Sequence, residues 1–379
     1  MPEDSEATAS RGRSSRRKRK GSGGLKISGA PAANPLAGRM MLIVNPVAGA
    51  GAAAGISAEL EMALRDLGLD FDRKYTERSG HAAGIASEAA RRGYGTVAVV
   101  GGDGTVREAV NGLMAVERLA RPALGVIPAG MGADFCRTVG IPGDWQIAAT
   151  LLASGKRRTI DVGWMEYDTP GGLCTGYFAN VAGLGFDGEV TGRAARLPER
   201  LRKAVGGTGC YLLSTALTSS KYLEKDVELH VDEKTYRALA TTVVVANCRY
   251  FGGRMKVAPD AAPDDGLFDV IVIGAGFGST LLDLPPDSAP PVRSRLERSG
   301  AKARTARNVT RIYRGTHTED PSVVTMRAGA VRVISNDRMV LQADGDVIGS
   351  GPFAAKVIPG AIDVIGVRHF SSHLPRSST

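Results

Sequence analysis

The sequence predicts two folded domains, an N-terminal α/β domain with a mostly parallel sheet and a mainly antiparallel β domain after it. From residue 40 onward, short apolar runs of strand length alternate with stretches of helical spacing, a pattern typical of parallel α/β sheets. From about Thr159, short β-rich runs separated by turn-forming residues replace this alternation. The chain has 379 residues, of which 43% are hydrophobic, so it can fill a core in each domain.

Residues 1–38 are predicted to form a disordered basic tail. Between residues 1 and 26, eight Lys and Arg residues face three acidic residues, so this segment carries +5 of the net charge of +9. Its lack of large apolar residues prevents it from forming a core. The tail is either a solvated extension or a contact to an anionic membrane, where each basic residue contributes about 1 kcal/mol. No nucleic-acid partner is expected, because aromatic residues do not interleave with the basic ones.

The α/β domain is predicted over residues 39–158, with three glycine-rich loops that each follow a strand. Because the carboxyl ends of parallel strands share one edge, the loops at 45–51, 101–105 and 128–135 are expected to lie together there. The predicted strands are 41–44, 71–76, 96–100 and 124–127, and the predicted helices run to about Leu67, from 81 to 92, and onward from the second loop.

The second loop reads Gly101-Gly102-Asp103-Gly104-Thr105 and opens a helix. Glycines permit a tight turn and close approach of a ligand, and the free N–H groups of a helix start favour an anion. A carboxylate among such groups would repel phosphates unless a cation lies between them. Asp103 therefore indicates that this loop binds a nucleotide with Mg²⁺.

The β domain is predicted over residues 159–355, followed by a C-terminal segment at 356–379 that can return to the first domain. A proline- and arginine-rich stretch at 285–307 is predicted to be a mobile insertion. The predicted strands are 160–166, 176–182, 227–231, 238–246, 268–273, 331–334 and 339–342, interrupted by a helix at 199–219.

The cysteines and the apolar runs indicate a cytoplasmic protein. Cys136, Cys174, Cys210 and Cys248 are widely spaced and form neither a zinc motif nor a disulfide framework. No apolar run has the length of a membrane-spanning helix or of a signal-peptide core.

Five motifs follow one another along the chain: NPVAGAG at 45–51, GGDGTVREAVNGL at 101–113, IPAGMGADFCRTVGIP at 127–142, FANVAGLGFDGEV at 178–190 and NCRYFGGRMKVAPDAAPDDGLFDVIVI at 247–273. Together they resemble the motifs of bacterial lipid kinases of the diacylglycerol kinase and sphingosine kinase superfamily. Loops like GGDGT also occur in NAD kinases and phosphofructokinases, so the ordered set carries the resemblance. It implies a nucleotide-binding α/β domain, a C-terminal β-sandwich, and transfer of the ATP γ-phosphate to a lipid hydroxyl in the cleft between them.

The resemblance also implies site residues. Asp346 is expected to take the acceptor's proton with Asp344 as its partner, and Asp103 and Asp134 are expected to face Mg²⁺ or the acceptor. Local alternatives are an Asx turn at Asn45, a helix-start acid at Asp134 and a plain two-residue hairpin at 344–345. The nucleotide is expected to contact Asn45, Gly49, Gly101, Gly102, Asp103, Gly104, Thr105, Gly130, Met131 and Asp134.

Two positions depart from the family pattern. The third loop usually reads G-T, a small residue and N-D, so Met131 and Ala133 replace a hydroxyl and an amide. The departure allows altered nucleotide affinity, an altered acceptor or a weak enzyme, unless the backbone amides suffice. Asp346 stands where D-G-E is usual, which shortens the carboxylate by one methylene.

A second, structural Mg²⁺ is implied in the β domain. The resemblance places it on the Asp265 carboxylate and the carbonyls of Ala262 and Leu267, all oxygen donors. A hairpin turn is the alternative. Asn180, Asp187 and Glu189 are further candidates to line the cleft.

The predicted activity is that of a lipid kinase dependent on ATP and Mg²⁺, with a lipid alcohol as acceptor and peripheral contact with the inner face of the membrane. Diacylglycerol and sphingoid or ceramide-like alcohols are all suitable acceptors. Two alternatives are an NAD kinase and a non-catalytic nucleotide or lipid sensor. The motif at 247–273 argues against the first, whereas Met131 and Ala133 argue for the second. Formation of a homodimer is left open.

Overall fold

The computed structural model describes most of residues 38–365. The predicted tail up to residue 37 and the insertion at 285–307 lie outside the described residues. The described ranges are 38–130, 132–219, 222, 224–274 and 311–365.

A four-stranded parallel sheet forms the N-terminal part of the protein. Its strands are β1 (Met40–Val44), β2 (Phe71–Tyr75), β3 (Thr96–Gly101) and β4 (Ala123–Pro128), in the spatial order β4-β3-β1-β2. Every residue of β1 is buried, because helices cover both faces of the sheet. This burial explains why the strand is an unbroken apolar run.

Five helices accompany this sheet and, together with β1–β4, make up what we call the α/β half. The short fourth and fifth helices are not part of the sequence-based prediction. The fifth begins at a cap in which the Asp144 carboxylate accepts hydrogen bonds from the N–H groups of Gln146 and Ile147. The helices are α1 (Ala52–Asp66), α2 (His81–Arg92), α3 (Asp103–Met114), α4 (Asp134–Val139) and α5 (Trp145–Ser154).

The remaining described elements, here called the β half, contain mostly antiparallel strands. Two helices, α6 (Phe186–Ala195) and α7 (Glu199–Ser219), interrupt them. The strands are β5 (Arg157–Thr169), β6 (Gly172–Phe178), β7 (Val181–Gly185), β8 (Lys225–Val231), β9 (Lys234–Ala240), β10 (Thr242–Ala246), β11 (Phe268–Ile273), β12 (Val323–Ala328), β13 (Ala330–Ile334), β14 (Val340–Ala343) and β15 (Asp346–Ile365).

The predicted fold class is confirmed, with parallel strands in the α/β half and antiparallel strands in a sandwich in the β half. Strand β10 shows how the sandwich buries both faces of a strand. Val243 and Val245 belong to one apolar cluster with Phe178, whereas Val244 belongs to another with Phe251. Alternate residues of one strand thus fill two cores.

Two segments that were predicted to be single strands are each divided. The run 176–182 breaks between β6 and β7, where backbone N–H groups turn toward the Asp344 carboxylate. The run 238–246 breaks at Thr241, because β9 pairs with β8 whereas β10 pairs with β7 and β11. Continuous apolar sequence did not reveal these changes of pairing partner.

Strands β5 and β15 join the two halves. They pair in an antiparallel ladder from Ser350–Asp168 to Ile365–Arg157, and Val364 of β15 also pairs in parallel with Leu124 of β4. The division into domains at 158 and 355 stays a prediction, and both strands cross it. Among the described helices, none is both long and apolar enough to cross a membrane.

Candidate active site

The three glycine-rich loops follow β1, β3 and β4 at one edge of the parallel sheet. Asn45, in the first loop, donates a hydrogen bond from Nδ2 to Oγ1 of Thr105 in the second, at 2.9 Å. Its Oδ1 accepts from the N–H of Val47, so the Asx turn also forms. Asn45 therefore links two loops, while Thr105 is buried beneath them.

Close backbone approach accounts for several of the predicted glycines. A Cβ on Gly49, which has φ of 61°, would lie 2.0 Å from the carbonyl oxygen of Ala129. A Cβ on Gly130 would lie 2.5 Å from the Cα of Gly102, and one on Gly101 would lie 2.7 Å from Oγ1 of Thr105. The loops pack directly against each other, so larger residues would separate them. Met131 lies outside the described residues.

The carboxylate of Asp103 caps the helix that follows the third loop. It accepts hydrogen bonds from the N–H groups of Asp134 and Phe135, at 3.2 and 3.0 Å. Burial, reinforced by the nearby charge of Asp134, raises the pKa of Asp103 to about 6. Asp103 thus connects the second loop to the third.

Asp134 connects the third loop to the β half. Its carboxylate accepts from the N–H groups of Gly253 and Arg254, at 2.8 and 2.9 Å, and pairs with Arg137. Both amide donors lie in left-handed backbone, with φ near 80°. Asp134 is 4% exposed, and the backbone amides that donate to its carboxylate belong to a segment 119 residues away in the chain.

The Asp344-Gly345 pair forms the two-residue hairpin between β14 and β15, with φ of 48° and 95°. The Asp344 carboxylate accepts three hydrogen bonds from the N–H groups of Ala179, Asn180 and Val181, at 2.8 to 2.9 Å. Burial raises the pKa of Asp344 to about 6, against the opposing effect of these amides. Asp344 anchors the hairpin.

The Asp346 side chain is 51% exposed, and it pairs with Arg107 of α3 at 2.8 Å. Its Oδ2 lies 3.1 Å from the position that a Cβ on Gly104 would occupy. The predicted partners Asp344 and Asp346 therefore have separate hydrogen-bond partners. Of the two carboxylates, Asp346 is the accessible one.

Two cavities meet at this carboxylate. One, of about 480 Å³, is lined by the first loop and by Thr76, Glu77, Arg78 and Ser79. The other, of about 300 Å³, is lined by Asp103, Asp134, Asp344 and segments of the β half. Gly102, Gly104 and Asp346 line both.

Oxygen donors near Gly132 fit Mg²⁺. A Cβ on Gly132 would lie 2.8 Å from Oδ2 of Asp103 and 3.7 Å from Oδ2 of Asp134, so the two carboxylates converge there. The described residues contain no group of three acidic, His or Cys side chains that could hold a metal unaided. An ion held by these two carboxylates would need further oxygen ligands, which phosphates could supply.

Comparisons with known proteins identify the family. Residues 39–165 match the diacylglycerol kinase catalytic domain, and residues 180–288 and 298–366 match the YegS C-terminal NAD kinase beta sandwich-like domain. The chain belongs to the diacylglycerol kinase catalytic-domain family of lipid kinases.

Individual relatives cover most of this kinase. A diacylglycerol kinase of Bacillus subtilis (strain 168) is 29% identical over 315 residues, which are 83% of this chain and 91% of the relative. A diacylglycerol kinase of Staphylococcus saprophyticus is 26% identical over 314 residues, 83% of this chain and 90% of the relative. A solved structure described as a diacylglycerol kinase from Bacillus anthracis str. Sterne shares the fold, with a TM-score of 0.64, 24% identity and coverage of 86% of this chain and 96% of that chain.

At the second predicted metal site of this kinase, the Asp265 carboxylate binds groups of the same chain. The Asp265 carboxylate pairs with Arg327 through one oxygen and accepts the N–H of Leu267 through the other. Both oxygens of the Asp265 carboxylate are therefore occupied by protein donors. The Mg²⁺ at Asp265, Ala262 and Leu267 stays a prediction without support from these contacts.

Of the additional cleft candidates, Asn180 lines the smaller cavity, but Asp187 and Glu189 do not. Asp187 is buried and accepts hydrogen bonds from Thr242 and Gln342, at 2.6 and 3.2 Å. Burial raises the pKa of Asp187. Glu189 is exposed on α6.

Sequence reasoning missed three polar residues of α3 that organise the kinase site. Arg107 pairs with Asp346, Glu108 accepts from the N–H groups of Gly80 and Ala82, and Asn111 hydrogen-bonds the backbone of Tyr177. A usable signal existed for Arg107, because it lies three and four residues after Gly104 and Asp103 on one helix face.

Proposed function

We propose that this lipid kinase transfers the γ-phosphate of ATP to the hydroxyl of diacylglycerol or of a sphingoid or ceramide-like alcohol, with Mg²⁺ as cofactor. The meeting of the two cavities at Gly104 and Asp346 carries this proposal. A carboxylate that borders both spaces lies where a donor in one cavity would meet an acceptor in the other.

The larger cavity suits the nucleotide. It is formed by residues of the proposed nucleotide-binding domain, 39–158, together with Asp346. It lies at the start of α3, where the N–H groups and the helix dipole favour phosphate. Glycines at 49, 102, 104 and 130 keep side chains out of this region.

The smaller cavity suits the lipid alcohol. Ala194 and Ala195 of α6, together with Tyr211 and Phe251, supply apolar surface to its lining. The carboxylates of Asp103, Asp134 and Asp346 also line it. A cavity with both apolar and acidic lining residues is complementary to an amphiphilic molecule that presents its hydroxyl to the carboxylates.

We assign the proton transfer to Asp346. The acceptor hydroxyl gives its proton to this carboxylate while its oxygen bonds to the γ-phosphorus and the bond between that phosphorus and the ADP oxygen breaks. Arg107 and the loop glycines orient the groups, since phosphoryl transfer depends mainly on positioning and charge. Mg²⁺, held by Asp103 and Asp134, would neutralise phosphate charge when bound.

Membrane contact completes the proposal. The basic residues between 1 and 26 would attract anionic lipid and bring the kinase to its substrate at the inner face of the membrane. A cytoplasmic location and a homodimer stay predictions.

The test is transfer of label from γ-labelled ATP, with and without Mg²⁺. Purified full-length protein is incubated with diacylglycerol, sphingosine and ceramide in detergent, with NAD as a separate acceptor and Asp346→Asn as control. We expect Mg²⁺-dependent label in one lipid and a strong reduction in the variant. Label in NAD alone, or in no acceptor, would contradict the proposal.

A further inference from the structure

Arg107 makes a contact that spans the two halves of the protein. Its Nη2 donates to Oδ2 of Asp346 at 2.8 Å, although the two residues are 239 positions apart. The Arg107 side chain is 18% exposed, whereas that of Asp346 is 51% exposed. A largely buried guanidinium thus holds a carboxylate that is open to both cavities.

The surroundings of Asp346 restrict its carboxylate from two sides. Arg107 binds Oδ2, and the Cα of Gly104 lies beneath it, where a Cβ would approach Oδ2 to 3.1 Å. Gly104 and Arg107 are three residues apart on α3, so they present one surface to the β14–β15 hairpin. The helix that begins at the glycine loop therefore also sets the position of the acidic residue.

The charges around Asp346 favour this contact. The acidic groups around Asp346 are Asp103, Asp134 and Asp344 in the smaller cavity. In the larger cavity they are Glu77 and Glu108, with Arg78 as a basic group. Without Arg107, the carboxylate of Asp346 would face mainly like charges and would rotate toward solvent.

We propose that Arg107 is a positioning residue, which holds the carboxylate of Asp346 at the point where the two cavities meet. Arg107 lines neither cavity, so it acts through Asp346 and not on the substrates. The inference rests on the proposed role of Asp346 in phosphoryl transfer.

The first experiment separates kcat from KM. Arg107→Gln should lower kcat by about 10- to 100-fold, because small misplacements of a catalytic group have effects of this size. The KM for ATP should change by less than about twofold, since Arg107 does not line the nucleotide cavity. Arg107→Lys should recover part of the lost kcat. Arg65→Gln on α1 is the control and should match wild type, because Arg65 is exposed and the buried Glu61 keeps its ion pair with Arg73.

The second experiment is a double-mutant cycle with Asp346→Asn. If Arg107 acts through Asp346, adding Arg107→Gln to Asp346→Asn should cause no further loss of kcat. An equal loss of kcat in both backgrounds, or a rise in KM with unchanged kcat, would overturn the inference. If Arg107→Gln does not fold, Arg107→Ala decides the question, and wild-type kcat in that variant would refute the role.

These outcomes differ from a failure of the proposed function. A wild-type protein that labels no lipid refutes the phosphoryl-transfer proposal, and the role of Arg107 fails with it. Active wild type with unchanged kcat in both Arg107 variants refutes the positioning role alone.

Discussion

Asp344 and Asp346 are separated by a single glycine, yet they have opposite surroundings. Asp344 is 4% exposed and its carboxylate is occupied by three backbone amides. Asp346 is half exposed and is held by one guanidinium. We infer that the first carboxylate maintains the hairpin and that the second is available for chemistry.

Exchanging each carboxylate for an amide should separate these roles. Asp344→Asn places an amide NH₂ among N–H donors and should lower the free energy of unfolding by about 1–3 kcal/mol. Asp346→Asn should cost less than about 1 kcal/mol in stability and lower kcat by about 10² to 10⁴. Urea unfolding and initial rates with saturating ATP measure the two effects. Equal stability losses, or full kcat in Asp346→Asn, would contradict the assignment.

His317 is a buried group whose protonation opposes folding. It is fully buried and donates from Nε2 to the carbonyl of Val257, and burial lowers the pKa of His317 to about 4. Between its unfolded pKa of 6.5 and the folded value of about 4, the unfolded chain binds the proton more strongly. This group therefore lowers stability as the pH falls from 6.5 toward 4.

His317→Gln should remove this dependence. When the pH is lowered from 7.5 to 5, the unfolding free energy of wild type should fall by about 2 kcal/mol more than that of the variant, because glutamine does not titrate. Denaturant unfolding at the two pH values measures the difference. A difference that is the same at both pH values would show that His317 does not titrate abnormally.

Among the elements, α3 makes several contacts that shape the site. Its first turn carries Asp103 and Thr105, and Arg107 then reaches the β14–β15 hairpin. Glu108 caps the start of α2, and Asn111 binds β6. One amphipathic helix therefore positions both cavities, so its displacement would affect nucleotide and acceptor together.

The close approach of the second and third glycine loops leads to a testable prediction. Gly130→Ala should raise the KM for ATP by about tenfold or more, because its Cβ would lie 2.5 Å from Gly102 and force the loops apart. Gly55→Ala in α1 is the matched control, since a Cβ there meets nothing within 4 Å. The control should keep wild-type kinetics and gain about 0.5–1 kcal/mol in stability. A wild-type KM in Gly130→Ala would show that the loops tolerate separation.

In the whole molecule, one continuous network of strands joins the nucleotide and acceptor regions. Strands β5 and β15 run from one half into the other, and Asp134 binds amides across the same junction. Asp161 on β5 adds hydrogen bonds from the N–H groups of Gly266 and Gly360. These contacts indicate that the two cavities keep a defined relative position.

The proposed attraction of the whole protein to membranes can be tested by deleting residues 1–37. The truncated protein should bind vesicles of anionic phospholipid less tightly at low salt, because it loses a segment with a charge of +5 between residues 1 and 26. Activity on detergent-dispersed lipid should be unchanged. Sedimentation with vesicles measures the binding, and neutral vesicles serve as the control. Unchanged binding to anionic vesicles would refute the role of the tail.

The sequence by itself determined the elements whose signals are local. The buried strand at Met40–Val44, the helix at His81–Arg92 and the glycine loop that opens α3 follow from apolar spacing and turn chemistry within a few residues. The gathering of the three loops at one edge also follows, because parallel strands point the same way.

Only the tertiary structure decided what each carboxylate does. Asp103, Asp134, Asp344 and Asp346 are the same residue type, and their difference arises from partners far along the chain. Asp134 meets amides 119 residues away, and Asp346 meets a guanidinium 239 residues away. Periodicity reports which face of an element is buried but not what packs against it, so burial and charge pairing at these four residues appear only in the folded protein.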